Sequence, residues 1–301
     1  MTGNAELGRS CTPGERRTRL GWLAVVGAGA LLALVATYAF FVRTTLGQEL
    51  DEAALVGSEH EAQGVISEAW ELLDVISVGS LAVATAAIAA VALLRRRVAL
   101  AVAALATIGG ANVATQLLKK VILERPDLIG AGDSNSLPSG HATVAATVAF
   151  GVVMVTAPRW RSPVALVAML FPVAVGVAVV TAAWHRPSDS VAAIAVVLAA
   201  AATCLGIAVA LFGFEVGRRP PRWFRASVMA VVGAVIVLLA GAGALGLALV
   251  RRQIDDGVVT VRWETVAYAS STAAIAAATL AAMLILAVAL RGMRIGQGGW
   301  D

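Results

Sequence analysis

The sequence predicts an all-α, polytopic membrane protein, and three observations support this fold class. Hydrophobic residues make up 59% of the 301 residues and charged residues only 14%. A soluble domain typically has about 45–50% apolar residues and about 25% charged residues. The mean hydropathy is correspondingly high at +0.84. Eight apolar stretches are each close to the roughly 20 residues that a transmembrane helix needs.

Each apolar stretch is predicted to cross the membrane once, because the stretches are nearly free of charge. Gly and Ala are frequent within them, which favours close packing of helices in lipid. The fourth stretch is the shortest. The predicted spans are residues 21–42, 75–94, 98–118, 141–158, 163–183, 188–213, 226–250 and 265–290.

The chain is predicted to divide into five parts. The last two spans contain no recognisable motif and are expected to serve packing, association of copies of the chain or contact with a partner. The parts are a basic tail (1–20), a six-helix core (21–213), a basic connection (214–225), two additional helices (226–290) and a tail (291–301).

The basic residues predict the orientation of the chain. With the N-terminus inside, 15 of the 23 Lys and Arg residues lie on the cytoplasmic side and eight on the outer side. Cytoplasmic connections carry an excess of Lys and Arg, so both termini are predicted to be cytoplasmic. The basic N-terminal segment is interpreted as a tail because no signal-peptide cleavage site is evident. The Ala, Val and Arg bias suggests a GC-rich bacterium, and hence its cytoplasmic (inner) membrane.

The outer connection 43–74 is long and acidic. Eight Asp or Glu residues surround His60 within it. We expect a solvated acidic loop with a short helix, and as the alternative a lid or a rim that attracts cations. A lone His among carboxylates is a poor case for a metal site, so His60 receives no role.

The charge and the cysteines exclude two classes of function. The net charge is +4 and the pI about 9.7, but the basic residues form short clusters between apolar segments, which argues against nucleic-acid binding. Cys11 lies in the basic tail and Cys204 in the sixth span. Neither a disulfide nor a metal pair is therefore predicted.

Three polar strings fall on the predicted outer side, around the third to sixth spans. Polar and ionisable groups are costly near a bilayer, so their concentration there indicates a functional site. The first motif string is Lys119-Lys120-Val121-Ile122-Leu123-Glu124-Arg125-Pro126, the second is Leu137-Pro138-Ser139-Gly140-His141, and the third is His185-Arg186-Pro187-Ser188-Asp189.

The second and third motif strings each begin a helix. Ser139 is a natural N-cap, and Gly140 lets a ligand approach the backbone closely. A helix N-terminus attracts phosphate through its free N–H groups and partial positive charge. His185 and Asp189 are about one turn apart, so the carboxylate can orient the imidazole. The strings therefore predict a site that handles an anion.

Together, the three strings resemble the signature of the type 2 phosphatidic acid phosphatase family, the membrane lipid phosphate phosphatases. That signature has a Lys followed by Arg-Pro, then Pro-Ser-Gly-His, then Ser-Arg with a downstream His and an Asp four residues later. The resemblance covers about residues 119–189 by motif. It implies a six-span phosphatase core, to which this chain adds two C-terminal spans.

The resemblance also implies a role for each matching residue. His185 would attack phosphorus and form a phosphohistidine, Asp189 would hold its ring, and His141 would be the general acid. No metal or other cofactor is implied. The groups that would hold the phosphate oxygens are Lys119, Arg125, Ser139 and the Gly140 amide.

Two departures from the signature matter. The family spacing places the lysine at Leu118, so Lys119 is the first choice and Lys120 the alternative. The Ser-Arg pair of the third part falls on Ala178 and Val179, so one phosphate-binding arginine is missing.

Arg186 lies beside the presumed nucleophile. It is either a substitute phosphate ligand for the missing arginine or an anchor at the membrane surface.

The predicted activity is that of a phosphoric (or diphosphoric) monoester hydrolase acting on a lipid phosphate or a polyprenyl (pyro)phosphate. Candidate substrates are phosphatidic acid, phosphatidylglycerophosphate and a polyprenyl pyrophosphate such as undecaprenyl pyrophosphate. The alternative is a phosphatase-like protein that binds or helps to transport lipid with weak or no turnover, which the missing arginine favours. Membrane lipids are the other expected partners, and association into a homo-oligomer is left open.

Overall fold

A computed structural model describes residues 9–132, 134–216, 222–257 and 259–295. Parts of the predicted tails and of the basic connection (1–8, 217–221 and 296–301) lie outside the described residues. Single π-helical turns extend α1 at Tyr38–Val42 and α5 at Leu118–Ile122. The α-helices are α1 (Pro13–Thr37), α2 (Thr45–Ser58), α3 (Gln63–Asp74), α4 (Val78–Leu94), α5 (Val98–Leu117), α6 (Gly140–Val155), α7 (Arg161–Ala168), α8 (Leu170–Thr181), α9 (Pro187–Phe212), α10 (Arg222–Asp255) and α11 (Val261–Ala289).

The predicted all-α, polytopic fold is confirmed. α4, the second predicted span, passes as a span only together with α3, with a bend of 59° between them. α6, the fourth predicted span, is an apolar helix of 16 residues. Within the described residues, six segments are long and apolar enough to cross a membrane: Pro13–Val42, Val98–Ile122, Arg161–Thr181, Pro187–Phe212, Ala226–Asp255 and Val261–Ala289.

The helix starts follow from the local sequence. The Thr12 hydroxyl accepts a hydrogen bond from the Glu15 N–H, and the Glu15 carboxylate accepts one from the Thr12 N–H. Pro13 between them fits the first turn of α1, where no N–H is needed. Ser139 is the N-cap of α6, as its sequence position predicts.

Both predicted tails and the basic connection meet at one end of the bundle. They form a small antiparallel sheet, in which β2 (Glu215–Val216) pairs with β1 (Arg9–Ser10) on one side and β3 (Met293–Arg294) on the other. α9 starts at the third motif string and ends just before β2, so the motif strings lie at the opposite end. This arrangement agrees with the predicted alternation of the connections. Which side of the membrane each end faces stays a prediction.

The expectation of a solvated loop at 43–74 is wrong for α2, most of which is buried. Leu50, Ala53 and Ala54 form an apolar face that packs in one cluster with Ala267 of α11. Acidic residues lie on the other faces of this helix, so the composition of the segment indicated exposure to solvent. His60, beyond the end of α2, lies 2.7 Å from the Glu264 carboxylate of α11 through its Nε2 atom.

α11 is part of the packed bundle, whereas α10 lies mainly against α11. α11 packs against α2, α8 and α9, and its Tyr268 hydroxyl lies 2.7 Å from the Thr181 hydroxyl of α8. Packing was one of the roles expected for the last two spans. The division of the chain into a core and two additional helices stays a prediction.

The contact between α2 and α11 is closest at Gly57. A Cβ atom added there would lie 2.0 Å from the Glu264 carbonyl oxygen, so the backbone would have to move. Gly57→Ala should therefore lower the midpoint of thermal unfolding in detergent, since overpacking costs about 1–3 kcal/mol. Gly64→Ala in α3, where no atom lies within 4 Å, is the matched control. Equal midpoints for the two variants would contradict the close contact.

Candidate active site

Asp189, in the first turn of α9, connects the second and third motif strings. Its backbone oxygen accepts a hydrogen bond of 3.0 Å from the Ser139 N–H, at the start of α6. Its side-chain Oδ2 lies 2.9 Å from His185 Nδ1 and accepts a 3.1 Å hydrogen bond from the Arg186 N–H. Because a carboxylate only accepts, His185 Nδ1 carries the proton and Nε2 keeps its lone pair.

The turn after α8 presents His185. The N–H groups of Trp184 and His185 both donate to the Val179 carbonyl oxygen at 3.0 Å. Ala183 adopts a φ of 55°, in the left-handed region where a glycine is usual at this point of a helix end. The backbone at Val179, where the family has its arginine, therefore helps to fix the His185 turn.

Arg125 is a buried cation whose side chain has no hydrogen-bond partner within the described part of the chain. Only 3% of its surface is exposed, and none of its three guanidinium nitrogens is bonded to any of the described residues. Burial and then the positive charge of Arg186 lower the pKa of Arg125 from its ordinary value. The Asp51, Asp189 and Glu52 carboxylates act on Arg125 electrostatically. None of them bonds to its N–H groups, which are therefore suited to receive an anion.

Of the two candidate lysines, Lys119 is the one that faces the other motif residues. It is half-buried and interacts electrostatically with Asp189 and His141, whereas Lys120 is exposed. Both lie in the π-helical turn, which changes side-chain directions relative to a continuous α-helix. Such a turn can compensate for the one-residue difference from the family spacing.

Asn135 fixes the path between the first and second motif strings. Its side-chain nitrogen, which has two N–H donors, lies 3.0 to 3.1 Å from the backbone oxygens of Lys119, Leu123 and Leu137 and shares its hydrogen bonds among them. The loop that carries Arg125 is thereby held at both of its ends. Sequence reasoning missed this residue, because an Asn in a polar loop carries no specific signal.

His141 lies in the first turn of α6, within the range of electrostatic interaction with His185 and Lys119. The His141 ring centroid is 5.3 Å from that of Trp184, which is 5.1 Å from that of Trp70 in α3. The two tryptophans thus form an aromatic wall beside the candidate general acid. The sequence pattern gave no signal for this wall.

Gly140, the first residue of α6, is open to a ligand. A Cβ atom added at Gly140 would meet only the Gln116 side-chain nitrogen, at an ordinary distance of 3.6 Å. Packing within the protein therefore does not require a glycine here. Close approach of a ligand to the backbone would require a glycine, because a side chain would occupy the space that the ligand needs.

Arg186, the N-cap of α9, is paired with a residue that sequence reasoning missed. Its Nε and Nη2 atoms donate to Glu52 Oε2 at 3.1 and 2.9 Å, and its charge acts on Arg125. It therefore lies with the other motif residues, although part of its guanidinium is engaged by α2.

Asp51 is the second acidic residue of α2 at the site. It is buried and accepts hydrogen bonds from the backbone N–H and the hydroxyl of Ser188. Burial raises the pKa of Asp51 to about 7, even though the Ser188 bonds act in the opposite direction. The acidic composition around it indicated exposure, so sequence reasoning missed this residue too.

The structure thus brings all three motif strings together at one end of a multi-pass helical membrane protein. Their groups form a constellation of two histidines, several cations and two helix N-termini. Among the described residues, no three His, Cys, Asp or Glu side chains are grouped to hold a metal ion. These features define the class of an all-α, multi-pass membrane protein in which the polar motif residues converge at one end of the bundle.

A comparison with family models finds a family that matches part of the chain. The model of the PAP2 superfamily matches residues 97–212, which contain all three motif strings. No curated protein and no solved structure is significantly similar to the chain. The resemblance in the motifs is therefore confirmed for this segment: residues 97–212 match the PAP2 superfamily, a family of phosphatase-type hydrolases.

The raised pKa of Asp51 predicts a pH dependence of stability. The folded protein keeps this proton up to about pH 7, whereas the unfolded chain loses it near its ordinary value of 3.8. The stability contributed by this group is therefore fully present below about pH 4 and is lost as the pH rises to about 7. Asp51→Asn should remove this loss, so the variant should gain in unfolding midpoint relative to wild type between pH 5 and pH 8. A parallel pH dependence of the two proteins would contradict it, and exposed Glu59→Gln is the control.

Proposed function

We propose that the protein is an integral membrane phosphatase that hydrolyses a lipid phosphate or a polyprenyl (pyro)phosphate at the extracytoplasmic face. The observation that carries the proposal is the Arg125 guanidinium. It is buried, interacts electrostatically with Asp189 and Arg186, and has no hydrogen-bond partner among the described residues. A phosphate group would supply the missing charge and acceptors. The position of the motif strings at one end of the membrane helices favours a substrate whose tail remains in the bilayer.

His185 is the proposed nucleophile. With Nδ1–H bonded to Asp189, the Nε2 lone pair attacks phosphorus and forms a phosphohistidine as the bond to the leaving oxygen breaks. His141 donates a proton to that oxygen, which leaves as an alcohol or a phosphate. His141 then takes a proton from water as the water oxygen attacks phosphorus, which releases inorganic phosphate and restores His185.

The cations and N–H groups are proposed to stabilise the charge that develops on the non-bridging oxygens. Arg125 and Lys119 supply fixed positive charge, and Arg186 adds its unengaged N–H groups. Ser139 and the Gly140 amide lie at the start of α6, where the helix dipole favours an anion. Because these groups are held before substrate arrives, little reorganisation is needed during the reaction.

The test of the proposal is release of inorganic phosphate by purified protein in detergent, with a panel of lipid phosphates and a metal chelator present. We expect turnover that is lost in His185→Ala and lowered by about 10²–10³ in Arg125→Ala. His60→Ala is the matched control, since its ring bonds to Glu264 away from the motif strings. Turnover that the chelator abolishes and one divalent ion restores would contradict the mechanism.

Absence of turnover on every lipid phosphate would favour the lipid-binding alternative. The observation that favours this alternative is the valine at position 179, where the signature has an arginine. Binding of a lipid phosphate to such an inactive protein would then support the alternative directly.

The proposed location of the site predicts how two exposed loops react with thiol reagents. Ala131 lies in the loop before α6 and Arg159 in the connection after it, at opposite ends of that helix. In a chain with Cys11 and Cys204 replaced, a membrane-impermeant reagent should label Ala131→Cys in intact cells. Arg159→Cys should react only after the membrane is permeabilised. The reverse pattern would place the site on the cytoplasmic side.

A further inference from the structure

α2 places two consecutive acidic residues against the third motif string. Glu52 binds the Arg186 guanidinium through two hydrogen bonds, and Asp51 binds the backbone N–H of Ser188 at 3.2 Å and its hydroxyl. Arg186 is the N-cap of α9, and Ser188 is in its first turn. The two carboxylates therefore hold the segment that lies between His185 and Asp189.

We propose that Asp51 and Glu52 are positioning residues of the active site, and that Glu52 holds Arg186 as the phosphate ligand that replaces the arginine missing at Val179. The proposal rests on the proposed function, because it assigns the support for one of the phosphate ligands named there. On this proposal, α2 of the acidic connection contributes to phosphoryl transfer by holding Arg186 and Ser188 in place.

α2 is firmly fixed, as a positioning element must be. Its Gln48 side-chain nitrogen donates to the backbone oxygens of Val42 and Pro126, at 2.8 and 2.7 Å. Pro126 follows Arg125 directly, so the same helix also contacts the first motif string. At Gly47 an added Cβ would lie 2.0 Å from the Phe40 carbonyl oxygen, and Gly57 is equally close to α11. α2 therefore cannot shift without moving its neighbours.

The bonds from Glu52 leave Arg186 able to bind phosphate. A guanidinium has five N–H donors, and the two bonds to Glu52 engage only Nε and Nη2. An Arg side chain has a large rotamer entropy, which the pairing removes on folding rather than on substrate binding. Arg186 is also held where its charge acts on the buried Arg125. Two neighbouring guanidinium groups repel each other until an anion lies between them.

Asp51 acts on the nucleophile through α9. Its side-chain oxygen Oδ1 accepts a hydrogen bond from the N–H of Ser188, one of the N–H groups in the first turn that have no partner within the helix. The next residue is Asp189, whose Oδ2 holds the His185 ring. A displacement of Ser188 would therefore be passed to the hydrogen bond that fixes the nucleophile.

The test of the Glu52 role is a double-mutant cycle between Glu52 and Arg186. Glu52→Gln should lower kcat about tenfold to a hundredfold with little change in KM, because the interaction matters mainly in the transition state. Arg186→Ala should have a similar effect, and the double variant should be no worse than Arg186→Ala alone. Glu59→Gln, an exposed change at the end of α2, is the matched control. Additive losses, or a neutral Glu52→Gln beside an impaired Arg186→Ala, would overturn this role.

The test of the Asp51 role compares two substitutions. Asp51→Asn keeps groups that can hydrogen bond to Ser188, whereas Asp51→Ala keeps none. We expect Asp51→Asn to retain at least tenfold more kcat than Asp51→Ala, with both proteins folded as judged by thermal unfolding. Equal kcat values for the two variants would overturn the assignment.

A binding measurement separates this proposal from the proposed function. Vanadate can adopt the five-coordinate geometry of phosphoryl transfer, so it should raise the unfolding midpoint of wild type without any turnover. We expect Glu52→Gln and Arg186→Ala each to weaken vanadate binding about tenfold, and the double variant to bind no more weakly than Arg186→Ala alone.

If wild type binds vanadate with this pattern but hydrolyses no lipid phosphate, only the proposed function fails. If wild type hydrolyses lipid phosphate but the pattern is additive or absent, only the present proposal fails. If wild type neither binds vanadate nor turns over, both fail.

Discussion

The buried carboxylate of Asp189 is the group on which the geometry of the site depends. Its Oδ2 holds the His185 ring and the N–H of Arg186, the N-cap of α9, while the backbone oxygen of the same residue accepts from the N–H of Ser139, the N-cap of α6. Such donors stabilise a carboxylate removed from water, and here both bond to Oδ2, since Oδ1 has no hydrogen-bond partner among the described residues. One buried residue therefore sets the tautomer of the candidate nucleophile and joins two helix N-termini at the same point.

The charged groups around Asp189 differ in whether they have hydrogen-bond partners. Glu52 compensates Arg186, Asp51 receives donors from Ser188, and Asp189 receives them from His185 and Arg186. Arg125 alone among these groups has no hydrogen-bond partner among the described residues. A buried charge in this condition lowers the stability of the fold. Its retention is understandable if an anionic ligand supplies the partner, which is why Arg125 carries the proposed function.

The sequence predicted the membrane helices and the motif strings because both signals are local. Apolar runs identify spans, and Ser139 or Pro187 marks a helix start without reference to distant residues. The contributions of Asp51, Glu52 and Trp70 could not be predicted, since each contacts a residue more than 100 positions away in the chain. In addition, a carboxylate in an acidic segment is usually exposed, so the burial of Asp51 becomes visible only once α2 is packed against α9 and α11.

The proposal that Glu52 holds Arg186 relates the missing arginine at Val179 to the folding of α2 in the acidic connection. Val179 is buried in an apolar cluster, and its backbone oxygen holds the turn that presents His185. That backbone role does not depend on the side chain, so a valine leaves the turn intact and removes only a positive charge. Arg186 can restore the charge because it follows His185 directly, but an Arg at a helix N-cap is otherwise free to extend into solvent. Glu52 prevents this, and it can do so only because α2 is fixed by close contacts with its neighbours.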